Sequence, residues 1–204
     1  GENVALKSLV KFIGPYVNEK QLELLSQWNI NALMDIDAEL TGNQTRLASA
    51  NVSGKLRDAM FADPSGSYAG EALAAQIQLA LQIENDRWSW QQTLTIDEGQ
   101  TYFEPIFLDL AEHSVTLSSE GQFNNANKTW QINDVEFSQS TSISANAELN
   151  GKATQLTHLQ MDLRSTDLAQ LYKDWLQPFI PGSSLSHLQT SGELTASLQW
   201  QPEQ

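Results

Sequence analysis

The chain has 204 residues and no cysteine, which removes disulfides, thiolate nucleophiles and cysteine-based zinc sites together. Either redox compartment stays open to it. Positive charge is scarce: 11 Lys and Arg stand against 25 Asp and Glu, for a formal net charge of −14, and no basic run occurs. Binding to phosphates draws on clustered cations and the counterions they release, so nucleic acid is an unsuitable partner. An anionic lipid surface is disfavoured on the same ground. No apolar stretch approaches the roughly 18–20 residues that span a bilayer as a helix, and no secretory signal is visible. Histidine is limited to His113, His158 and His187, with no second ligand at metal spacing. They read as solvated surface groups.

What is present points to β-structure. Hydrophobic residues make up 40% and charged residues only 18%, and Ser, Thr, Asn and Gln fill the remaining polar positions. That balance suits a globular chain with long solvated sheet faces. One all-β unit can take up the whole length.

The beginning and end of the chain follow one plan. Leu6, Leu9, Phe12, Ile13, Pro15, Tyr16 and Val17 reappear, 163 residues on, as Ala169, Tyr172, Trp175, Leu176, Pro178, Phe179 and Ile180. Leu22 and Leu25 map onto Leu185 and Leu188 at the same offset. Met34-x-Ile36-x-Ala38-x-Leu40 then answers Leu194-x-Ala196-x-Leu198-x-Trp200 after three residues drop out. A module of helix, proline stop and amphipathic strand thus occurs twice, as in a repetitive architecture.

The spacing predicts a short helix over 3–13 that Gly14-Pro15 ends. A second begins at Asn18 with Gln21 as its capping partner. From Met34 the period changes from 3.6 to 2, and Met34, Ile36, Ala38 and Leu40 alternate with Asp35, Asp37 and Glu39. Thr41-Gly42-Asn43 supplies turn chemistry, and Ala48, Ala50 and Val52 continue the alternation. The stretch ADPSGSYAG, residues 62–70, reads as a hinge or sheet crossing. Residues 72–84 are rich in helix formers, yet Ile77, Leu79, Leu81 and Ile83 alternate strictly, which favours a strand. Asn85-Asp86 turns this strand into one carrying Trp88, Trp90, Leu94 and Ile96. Asp97-Glu98-Gly99 is the next expected turn, and Pro105 marks an edge or a bulge. Strands follow around Val115 and Leu117, from Trp130 to Phe137, and through Ile143 to Leu149. Asn150-Gly151 is the strongest hairpin dipeptide, and Leu159, Met161 and Leu163 complete its pairing. Ser165 or Thr166 caps a last helix whose stripe is Leu168, Leu171, Tyr172, Trp175, Leu176 and Phe179. The final strand runs from Glu193 to Trp200.

About ten such strands bury their apolar faces in one of two ways. The faces meet in a closed sandwich or barrel, or they line the groove of a sheet that does not close. Alternation alone is compatible with both. The strand Gly192-Glu193-Leu194-Thr195-Ala196-Ser197-Leu198, with a preceding helix that ends in Pro-aromatic-aliphatic, resembles the large envelope proteins of the AsmA and TamB type, and among them the YdbH-like branch. Leu171 to Trp200 carry the resemblance, and Leu9 to Leu40 carry it more weakly. It implies a mainly β fold: a long curved antiparallel sheet, open or taco-like, with short helices near both ends. The chain is then one fragment of a larger repetitive protein. A helical element spans 1–30, a β-meander 31–164, a helix 165–181, and the strand opening a next repeat 185–200.

The resemblance also implies passage of phospholipid between the inner and outer membranes of a diderm envelope, in a periplasmic protein anchored to the inner membrane, with neighbouring segments of the same protein as partners. That anchor is absent from the sequence. The implied groove residues are Met34, Ile36, Leu79, Leu81, Trp88, Trp90, Leu94, Ile96, Ile143, Leu149, Leu159, Met161, Leu194 and Leu198. No cofactor, metal or catalytic residue is expected.

Blander readings stand beside each of these. Alternating apolar residues are usually ordinary core, which makes a closed β-sandwich in a scaffold or adhesive protein the main alternative. Trp88 and Trp90 share a face and allow a carbohydrate-binding platform as a third. Asp35, Asp37 and Glu39 lack the glycine-punctuated loop of a calcium site and read as a solvated face. Asp109 and Glu112 have no fixed separation as an acid–base pair. Ser65-Gly66-Ser67 lacks the frame of a nucleophile elbow. Asn43, Asn51 and Asn127 fall in N-x-[ST] triplets, a frequent coincidence in a chain of this composition.

Overall fold

The computed structural model describes residues 4–5, 27–140 and 142–202, with the backbone alone at 4–5. It is a single antiparallel sheet, open at both edges. Its strands are β1 (Val4–Ala5), β2 (Asn29–Asn43), β3 (Arg46–Ala62), β4 (Tyr68–Glu84), β5 (Arg87–Phe103), β6 (Ile106–Asp109), β7 (Val115–Asn124), β8 (Thr129–Gln139), β9 (Ile143–Lys152), β10 (Gln155–Ser165) and β11 (Leu194–Trp200). Spatial order follows chain order, except that β7 lies beside β5 and the short β6 pairs with β5 off the main path. No strand of one edge pairs with the other, so the sheet is not a barrel.

The outcome matches the expected class, and the exposed surface agrees with it. The chain exposes 13968 Å², against about 9500 Å² for a compact monomer of this mass by size scaling. A single layer has this excess because no described residue packs over most of either face.

Alternation accounts for the strands, and turn chemistry for their ends. Asn43 Oδ1 accepts from the backbone N–H groups of Thr45 and Arg46, each at 3.0 Å, and so closes the β2–β3 turn. The segment 62–70 is neither a hinge nor a crossing. It is a hairpin connection in which the Asp63 carboxylate accepts from the backbone N–H of Ser65 at 3.0 Å and of Tyr68 at 2.8 Å. A side chain that mimics backbone acceptors stabilises so short a reversal.

Several local expectations fail for one reason. Asn150-Gly151 does not turn; both residues lie within β9, and the reversal comes later, with Ala153 at φ 52°. Gly151 is needed inside the strand because the Trp130 ring lies on it, where any Cβ would collide. Asp97-Glu98-Gly99 is likewise inside β5. There Gly99 at φ 94° joins Asp58 at φ 48° and Ala72 at φ 51°, where the pairings of β3, β4 and β5 shift register. These bulges make a crease across neighbouring strands. Pro105 sits in the β5–β6 connection, not in a strand. Val4 and Ala5, expected in a helix, instead pair with Met34 and Leu33. The remainder of the expected N-terminal helices, over 6–26, lies outside the described residues.

The last helix is irregular. It is α-helical over Leu168–Leu171, π-wound over Tyr172–Leu176 and 3₁₀ over Gln177–Phe179, and a further 3₁₀ turn covers Ser184–His187. Its cap is Asp167, whose carboxylate accepts from Gln170 N–H at 3.1 Å, not Ser165 or Thr166. The expected apolar stripe divides. Leu171 and Tyr172 are buried, whereas Leu176 and Phe179 are exposed.

The small core sits at the creased end. Ala32, Ala59, Leu73, Leu108 and Leu110 are buried there, with Leu56, Ile96, Val115 and Trp175 packed against them. The helical segment thus covers one end of one sheet face.

Candidate functional site

Following the pairings across the sheet divides the side chains into two faces, because paired residues share a face and neighbours along a strand alternate. One face carries, in a single row, Met34, Leu56, Ala75, Ile96, Val115, Gln139, Ile143, Ser165 and Leu194. The next row away from the helical segment is Ile36, Gly54, Ile77, Leu94, Leu117, Phe137, Ala145, Leu163 and Ala196. A third is Ala38, Val52, Leu79, Gln92, Ser119, Val135, Ala147, Met161 and Leu198. A fourth is Leu40, Ala50, Leu81, Trp90, Gly121, Ile132, Leu149, Leu159 and Trp200. A shorter fifth holds Ile83, Trp88, Phe123, Trp130, Gly151 and Leu156.

All fourteen groove candidates fall on this face, in these five rows. Met34, Ile96, Ile143 and Leu194 lie in the first row, Ile36 and Leu94 in the second, Leu79, Met161 and Leu198 in the third, Leu81, Trp90, Leu149 and Leu159 in the fourth, and Trp88 in the fifth. The two matching sequence modules also coincide. Met34 and Leu194, Ile36 and Ala196, Ala38 and Leu198, and Leu40 and Trp200 each share a row. Eight antiparallel steps separate β2 from β11, so these two strands run in the same direction.

The opposite face is polar. Asp35, Lys55, Gln76, Thr95, Thr116, Ser138, Ser144, Arg164 and Thr195 form one of its rows. Asp35 there pairs with Arg57 at 2.5 Å, which engages one of the carboxylates considered for calcium. Depressions on this side, such as one of about 670 Å³ lined by Asp35, Asp37, Lys55, Arg57 and Gln78, are gaps between solvated side chains. Among the described residues no group of three or more His, Asp and Glu converges on a point. Asp109 serves its own turn, accepting from Ala111 N–H at 3.1 Å.

The apolar face has a covered end and an uncovered expanse. At the covered end Trp175 meets Phe137 edge to face at 5.9 Å between ring centroids, and its indole N–H donates to Gln139 Oε1 at 2.6 Å. Gln139 Nε2 donates to Asp174 Oδ2 at 2.8 Å, and Gln170 Nε2 donates to the same oxygen at 2.6 Å. Gln139 is wholly buried, so each of its polar atoms must find a partner on the helical segment. Ser165, also wholly buried, is satisfied by the backbone of Asp167. Sequence reasoning missed this network. The available signal was a glutamine and a serine standing at strand positions whose alternation demanded apolar residues.

Beyond the first row the helical segment reaches the face at Phe137, through Trp175, and most of the remaining residues of the face are half-buried or exposed. Leu40 is 63% exposed, Leu198 48% and Trp88 43%. Trp90 and Trp130 lie against glycines on the neighbouring strands: a Cβ at Gly121 would stand 2.5 Å from Trp90 Cζ2, and one at Gly151 would collide with the Trp130 ring. The rings are thereby laid along the sheet, which widens the apolar surface.

No family model, curated protein or solved structure matches this chain. What the face can do follows from its own chemistry. It offers apolar contact over many strands, and among the described residues its five rows hold no Asp, Glu, His, Lys or Arg.

Proposed function

We propose that this chain is a non-catalytic segment of a lipid-transfer protein of the cell envelope, sheltering phospholipid acyl chains on its apolar sheet face as they pass between inner and outer membranes. The observation that carries the reading is a largely apolar face, eight strand spacings wide, most of which no described residue covers. Each methylene moved from water onto such a surface contributes roughly 0.8 kcal/mol, and equivalent rows from strand to strand give a sliding chain no deep minimum. The polar opposite face keeps the sheet soluble. Its resemblance to AsmA and TamB type proteins adds the periplasm, an inner-membrane anchor and outer-membrane biogenesis as the setting.

A closed sandwich scaffold requires a second layer over the apolar face, and the described residues supply only the helical segment at one end. An exposed aromatic platform beside carboxylates would favour carbohydrate binding around Trp88 and Trp90. Their neighbours on that face are Ile83, Phe123, Leu81 and Gly121.

Native mass spectrometry of the purified protein, mixed with phospholipid, tests the proposal. Phospholipid adducts on the wild type that vanish in folded Leu79→Asp and Leu81→Asp proteins are the expected result. A lipid-free wild type with both variants unfolded would identify the face as core and end the proposal.

A further inference from the structure

Four polar side chains interrupt the five apolar rows, and they form two pairs. Gln139 and Ser165 lie under the helical segment with their partners. Gln92 and Ser119 do not. They sit opposite one another on β5 and β7, half-buried in the third row, flanked along their strands by Trp90, Leu94 and Leu117. Neither side chain has a hydrogen-bond partner among the described residues. On a face that no described residue covers at this point, water can reach and satisfy them. A purely hydrocarbon ligand laid over them would strand an amide and a hydroxyl.

Resting on the lipid-sheltering reading, we infer that Gln92 and Ser119 form the recognition point for an acyl carbonyl oxygen, so that the ligand is an acyl ester seated with its ester group between β5 and β7. The Gln92 amide supplies two donors and the Ser119 hydroxyl one, which suits an acceptor-only oxygen. The five rows contain no Lys or Arg and the chain is strongly acidic, so a neutral ester is favoured over a free carboxylate, which would enter the site without a counter-charge. The third row continues beyond the pair in both directions. Three strands lie past Gln92 and four past Ser119, roughly 15 and 20 Å of apolar surface at about 4.8 Å per strand. Acyl chains running across the strands therefore have room on either side of a central ester.

Binding of a diacyl phosphatidylcholine and of its dialkyl ether analogue, which lacks only the two carbonyl oxygens, separates these contributions. Palmitate serves as the carboxylate probe. The wild type is expected to hold the ester roughly five- to tenfold more tightly than the ether, the worth of one neutral hydrogen bond. Gln92→Leu should abolish that preference while retaining ether binding. Gln92→Ala and Ser119→Ala, which add no apolar bulk, should each reduce it and guard against misfolding of the leucine variant. Equal ester and ether binding by the wild type, or a preference unchanged in Gln92→Ala, would overturn the recognition point and leave the apolar face as a lipid surface. Tighter Gln92-dependent binding of palmitate than of the diester would overturn the ester assignment. No binding of any of the three probes would overturn the lipid reading itself.

Discussion

The covered and uncovered ends of the apolar face use the same alternation and make opposite use of it. In the first row Ile143 is 3% exposed and Gln139 0%, because the helical segment lies on them and supplies both apolar contact and hydrogen bonds. Three rows away Leu40 is 63% exposed in a strand of equally regular pattern. An apolar residue on this sheet is core only where a second layer reaches it. Elsewhere it is surface, and its cost in water is the reserve that a ligand can release.

Breaking the difference is simplest with a charge placed at each end. Ile143→Asp buries an unpaired carboxylate beside Gln139 and should cost at least roughly 4 kcal/mol, read as a shift in denaturant midpoint. Equivalent losses for Leu40→Asp would erase the distinction between the two ends. Next in size, Trp175→Ala removes the ring that joins the segment to Phe137 and should cost about 3 kcal/mol. Asp174→Ala orphans the amides of Gln139 and Gln170, at about 1–3 kcal/mol. Hydrogen exchange should show both changes loosening residues 165–180 while the β3–β4 pairing keeps its protection.

A smaller effect tests the uncovered end. Gly151→Ala pushes the Trp130 ring off the sheet and should cost about 1–3 kcal/mol by overpacking, with a shift in tryptophan fluorescence. Leu40→Asp should stay within about 0.5 kcal/mol of wild type, measured in the same denaturant series as Ile143→Asp. Last comes an effect of pH at the β3–β4 turn. Asp63 is held below its ordinary value of 3.8, first by the hydrogen bond from the Ser65 hydroxyl and then by the backbone N–H groups of Tyr68, Ser65 and Gly66. A lowered folded value means that this stabilisation is present above pH 3.8 and is lost as pH falls through the lower folded value. Protection of residues 63–68 against hydrogen exchange, relative to the unstructured rate at the same pH, should therefore fall in strong acid in the wild type, stay unchanged with pH in Asp63→Asn, whose amide oxygen accepts at every pH, and be low throughout in Asp63→Ala.

Most strands, and which residues share a face, were legible in the alternation, whereas Val4–Ala5 and the strand residues 97–99 and 150–151 were not. A pleated strand sends successive side chains to opposite sides, so period two in hydrophobicity is also a map of orientation, and the fourteen candidates from Met34 to Leu198 accordingly stand together. Net charge and the missing cysteines narrowed the chemistry in the same local way. Turn positions were less legible, because a glycine answers to whatever lies across from it. Gly151 is in a strand for Trp130 on β8, and Gly99 is at a bulge for the crease it shares with β3 and β4. That the sheet stays open, that the rows of β2 and β11 coincide, and that the helical segment reaches the first row and Phe137 of the second were settled by the way the chain packs. Those outcomes depend on register and layering between residues distant in the chain, and hydrophobic burial has no direction of its own. Alternating residues specify that a face must be covered, and the rest of the molecule decides by what.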